Sequence, residues 1–135
     1  MAGRSANVIV CDEAMFSLTG KLSLHGIYPG DISITEDVVH MPQLVFYFTV
    51  ATPKNDPFEW LKLKVALPDS AEVIVDVDVP LKSVETPDAR SYFFVKVPLL
   101  LPSPVLKPGR IQTMAIHERG ELDAGGIWVT STAKP

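Results

Sequence analysis

A two-residue alternation of apolar and polar side chains, repeated in short segments between prolines, limits what this chain can fold into. It is cleanest from Trp60 to Leu67, where Leu61, Leu63, Val65 and Leu67 fall on one side and Lys62 and Lys64 on the other. Successive side chains of an extended strand point to opposite faces, so one face is core and the other is wet. After Pro68-Asp69-Ser70 the pattern returns from Ala71 to Val79, with Val73, Val75, Val77 and Val79 inward and Glu72, Asp76 and Asp78 outward. A strand carrying lysines joined by a short turn to one carrying acids reads as a charge-matched hairpin. Each cross-strand pair contributes only ~0.2–1 kcal/mol, so the pairing sets register more than stability.

Twelve prolines, spread from Pro29 to Pro135, keep the apolar segments short. Proline cannot donate to a ladder or sit inside a helix, so it marks the ends of elements. Ala6 to Cys11 is β-branched and apolar and reads as a buried strand. Asp12 to Leu18 alone has helical character: Asp12 can cap a single turn with Ala14, Met15 and Leu18 inward, closed by Gly20, and a short loop fits nearly as well. Lys21 to Ile27 alternates again, and Tyr28-Pro29-Gly30-Asp31 is a turn signal. Tyr28 is expected to cap it with the ring inward and the hydroxyl on a backbone partner. Ile32 and Ile34 begin another strand, which could run on to Val39. Gln43 to Thr52 is apolar or aromatic on both faces, as a central strand is. Tyr92 to Val97 is a strand, and the proline density makes Pro98 to Pro104 an edge or an extended cover. Arg110 to His117 and Leu122 to Thr130 form a last hairpin, with a bulge expected at Gly125-Gly126.

Eight or nine such strands make an all-β antiparallel β-sandwich of one domain, residues 1–135, with a closed β-barrel as the alternative. The net charge is −4, and no basic run appears, which argues against a nucleic-acid or anionic-membrane partner. One cysteine, Cys11, cannot form a disulfide within the chain. No apolar run reaches the ~7–15 residues of a secretory segment or the ~20 of a membrane span, so a cytoplasmic location is expected.

Few residues offer chemistry. His25, His40 and His117 lack metal-ligand spacing, so a zinc-type site would need His25 and His117 to converge in space with Cys11, Asp12 or Glu13. The plainer reading is three half-exposed strand histidines. Cys11 ends an apolar strand, where a thiol without a cationic neighbour is inert. Lys21 could supply that charge if it met Cys11 and Asp12. The loop acids Asp69, Glu85 and Asp88 could converge on calcium, whereas Asp76 and Asp78 read as a solvated face. Tyr47, Trp60, Tyr92 and Trp128 could stack bases, but no basic groove accompanies them. No glycine-rich phosphate loop or nucleophile elbow is present.

Val8-Ile9-Val10-Cys11-Asp12-Glu13, then Gly20-Lys21-Leu22-Ser23-Leu24-His25-Gly26-Ile27-Tyr28 and Gly30-Asp31-Ile32, resembles a family of small bacterial and phage proteins of unknown function, as does the later Pro42-Gln43-Leu44. The resemblance covers the first third of the chain well and the rest loosely. It implies a compact cytoplasmic β-domain and carries no catalytic residue with it. The expectation is therefore a non-enzymatic protein-interaction or structural module without a cofactor, partnered by itself or another protein. The alternative is a metal- or small-ligand-binding protein with a site near Cys11, Asp12 and one or more histidines.

Overall fold

The computed structural model describes residues 3–68, 72–78 and 91–132. The expected Asp69, Glu85 and Asp88 lie outside them. The described residues form eleven strands: β1 (Ser5–Phe16), β2 (Leu22–Ile27), β3 (Ile32–Ile34), β4 (Val39–His40), β5 (Gln43–Pro53), β6 (Leu61–Ala66), β7 (Glu72–Val77), β8 (Tyr92–Pro102), β9 (Val105–Leu106), β10 (Gly109–His117) and β11 (Gly120–Ser131). Two sheets face each other. The first has the order β2-β1-β5-β8, and the second β3-β11-β10-β6-β7; β4 and β9 form a small ribbon. The described residues contain no helix.

β5 pairs with β1 on one side and β8 on the other. This explains a strand apolar on both faces: Phe46, Phe48 and Val50 enter the core, while Val45 and Ala51 are buried outside the central cluster. From the second sheet Leu61, Leu63, Val65, Ile111, Ala115 and Val129 meet them. The lysine and acid strands pair as their charges suggest, Lys62 with Asp76 at 3.8 Å and Lys64 with Glu72 at 3.1 Å. The last hairpin carries its bulge: register shifts at Thr113/Met114, opposite Gly125, and the Thr113 hydroxyl donates to the Gly125 carbonyl at 2.8 Å.

Two local expectations are corrected. Asp12 to Leu18 forms no helical turn; β1 continues to Phe16, because cross-strand partners from Leu22 to Ile27 satisfy its backbone. β3 ends at Ile34, and its pairing with β11 is parallel, Val129 opposite Ile32, in an otherwise antiparallel fold. The edge expected from the proline density is found: β8 runs through Pro98 to Pro102 at the margin of its sheet.

Candidate functional site

The first polar cluster is built around Arg4, just before β1. Its guanidinium is nearly buried and donates to the Glu118 carboxylate at 2.8 and 2.9 Å, to Thr52 Oγ1 at 3.1 Å and to the carbonyls of Asp56 and Pro57 at 3.2 and 3.0 Å. It also lies 4.5 Å from the centre of the Phe58 ring. His117, buried at the end of β10, turns Nδ1 toward Arg4 Nη1 at 2.8 Å and the Arg119 amide at 3.2 Å. Both neighbours are donors, so Nδ1 is the bare acceptor nitrogen and the ring is neutral. Burial, with Arg4 adding to it, holds His117 below the usual imidazole range.

Burial pushes the Glu118 carboxyl up, but the Glu59 amide and Arg4 outweigh it and hold the group low. Arg119 forks onto the Asp56 carboxylate, lowering its pKa and raising its own. Every polar group in the cluster that the structure pairs is spent on another chain segment. The arrangement ties the N-terminal segment, the chain after β5 and the β10–β11 turn together, and its chemistry is that of a clasp.

The second cluster lies where β1 and β2 leave the sandwich. Gly26 has φ +70°, and a Cβ there would stand 2.9 Å from Asp12 Cγ, so only glycine lets the Asp12 side chain lie across β2. The Tyr28 hydroxyl donates to Asp12 Oδ1 at 2.5 Å, a carboxylate rather than the backbone partner expected. Burial first, and then this bond, raise the Tyr28 pKa. Gln43 Nε2 donates to the Asp12 carbonyl at 3.0 Å.

The residues anticipated for a metal or thiol site are dispersed. Cys11 and Asp12 point to opposite faces of β1. Cys11 is fully buried, its thiol against the Glu13 carbonyl, and burial pushes its pKa up. Lys21 lies beyond Phe16 and Leu22, while Asp12 sits five residues back toward Gly26, ~17 Å along the strand. His25 pairs with Glu13, whereas His117 binds Arg4, nine residues earlier on the same extended chain, or ~30 Å away. His40 lies on β4. Among the described residues no three of His, Cys, Asp and Glu gather closely enough to hold a metal ion.

The two outer faces of the sandwich differ sharply. Across the first sheet run the rows Ile27–Cys11–Val45–Leu100, Ile9–Tyr47–Pro98 and Asn7–Thr49–Lys96, with Glu13 opposite His25 on the same face. Ile9, Met15, Ile27, Phe94 and Leu100 on this face are exposed, Ile27 and Leu100 by about half (51% and 52%). The corresponding rows of the second sheet are Gln112–Ala66–Glu72, Met114–Lys64–Ile74 and Ile116–Lys62–Asp76, interleaved with charge. A cleft of about 410 Å³ opens at the corner where β1 meets β11, walled by Ile9, Ile27, Pro29 and Trp128. Sequence patterning shows β5 to be apolar on both sides; which further side chains extend that surface depends on register. No family model matches the chain, and no curated protein is found similar to it.

Proposed function

We propose that the chain is a non-enzymatic interaction module that associates with itself through the outer face of the β2-β1-β5-β8 sheet. The observation that carries this reading is the contrast between the two outer faces. One is laced with ion pairs; the other presents Ile9, Ile27 and Leu100 around buried Cys11 and Val45. An apolar patch of this kind, with Glu13 and Lys96 at its margins, is what the centre of a subunit contact is made of. The mutual pairing within the Arg4 cluster supports a structural role for its titratable groups.

Light scattering and sedimentation at tens of micromolar test the reading. A dimer is expected for the native chain. Ile27→Glu and Leu100→Glu should each shift it toward monomer while the β-type circular dichroism persists, because a carboxylate buried in an interface is left unpaired. Ile74→Glu, on the charged outer face, should leave association unchanged. A native chain that is monomeric at these concentrations overturns the proposal.

A further inference from the structure

The β1–β2 hairpin reaches beyond the sandwich. Pairing of β1 with β5 stops at Cys11 opposite Val45, whereas pairing with β2 continues to Phe16 opposite Leu22. Asp12–Phe16 and Leu22–Gly26 therefore form a two-stranded ribbon with no third strand among the described residues, ~17 Å long at ~3.3 Å per residue. Ser17 to Lys21 closes it, through bonds from the Ser17 amide to the Lys21 carbonyl (2.8 Å) and from the Gly20 amide to the Ser17 carbonyl (3.0 Å). A ribbon alone is marginally stable, and this one is braced at its base by Asp12, Tyr28 and Gln43.

The tip is apolar and open: Phe16 is 66% exposed and Leu18 wholly so. Lys21 stands at the same tip and makes no ion pair among the described residues. At the arm's base lies the 410 Å³ cleft, with Asp31 on its rim. Val129 and Ile32 begin the parallel β11–β3 ladder and are both buried, so the residues before them, Trp128 and Asp31, stand side by side on the outside. Asp31 likewise makes no ion pair among the described residues.

We propose that two copies of the chain exchange these arms about a two-fold axis, with Phe16 and Leu18 of each seated in the other's cleft and Lys21 against the partner's Asp31. The inference rests on the self-association reading and adds its register. A two-fold axis perpendicular to the arms sets them antiparallel, which lays each tip beside the other's base. The arms are of equal length, so both clefts fill at once and the contact closes at two copies. An apolar tip with one ammonium matches an apolar cleft with one carboxylate. The cleft shares Ile9 and Ile27 with the proposed interface, so arm and face form one continuous surface. Because its base is braced, the arm loses little freedom on docking.

Sedimentation equilibrium on the full chain tests this, with circular dichroism confirming the fold of every variant. The tip variant Phe16→Ser/Leu18→Ser should weaken association about tenfold or more, since both side chains are already exposed in one copy. Lys21→Glu and Asp31→Lys should each weaken it about fivefold or more, and the two together should restore it to within about threefold. A native dimer indifferent to the tip variant overturns the arm exchange and leaves the face contact standing. Failure of the combined charge reversal to restore affinity overturns the register. A monomeric native chain removes both this inference and the reading beneath it.

Discussion

His117 carries the residue-scale consequence that is easiest to measure. Its Nδ1 accepts from Arg4 and from the Arg119 amide, so a proton placed there would break both bonds and set an imidazolium beside a guanidinium. The folded state therefore holds the ring neutral below its ordinary pKa of about 6.5. As pH falls through that value the unfolded chain takes up a proton that the folded chain refuses, and stability falls with it. At lower pH, Glu118 and Asp56, whose folded pKa values are depressed, withdraw stability in turn. Urea denaturation between pH 7.5 and 5.5 should show a steady loss of stability in the native chain and a much flatter profile in His117→Gln, whose amide oxygen can accept in place of Nδ1. Equal slopes would show that the histidine is not the group responsible. None of this is legible in the sequence. Arg4 is separated from Thr52, His117 and Glu118 by 48, 113 and 114 positions, and local patterning carries no signal for a contact made across that much chain.

Elements are legible in proportion to how much of their order is local. The β6–β7 hairpin declares itself through alternation and opposite charge, and the β10–β11 hairpin through its turn. Asp12 to Leu18 misleads because Ala14, Met15 and Leu18 satisfy a helical spacing while their extended state depends on partners supplied by β2. Gly125-Gly126 announces a bulge, but why it needs glycine appears only in three dimensions. A Cβ at Gly126 would stand 2.8 Å from the Ile111 carbonyl oxygen and 2.7 Å from Arg110 Nε. The arginine can move; the carbonyl, fixed in the β10–β11 ladder, can yield only by disturbing that ladder. Gly126→Ala should therefore cost about 1–3 kcal/mol, the usual range for forced overpacking. Gly30→Ala, where the new methyl would meet nothing within 4 Å, should stay within about 0.5 kcal/mol of the native chain. Chemical denaturation of the two variants checks the contrast, and equal midpoints would show that the bulge relaxes freely.

At the scale of the whole molecule, one sheet faces water with cross-strand ion pairs while the other adds a patch of isoleucine and leucine to it, and a net charge of −4 offers only modest repulsion between copies. Alternation reveals which strands have a greasy second face, but Ile27 and Leu100 sit 73 positions apart in sequence and become neighbours of one surface only through the β2-β1-β5-β8 order. If that surface is buried between copies, unfolding and dissociation are linked, and thermal stability must depend on concentration. For two copies melting to two unfolded chains, a hundredfold rise in concentration adds about 1.4 kcal/mol per chain. With an unfolding entropy of about 2.1 cal/mol/K per residue over 135 residues, that corresponds to a rise in Tm of about 5 °C. Calorimetry from about 2 to about 200 μM should show this rise in the native chain and lose it in Ile27→Glu, which would melt at one temperature throughout. A native Tm that does not move over that range would mean that the molecule melts as a monomer, with its apolar face turned to solvent.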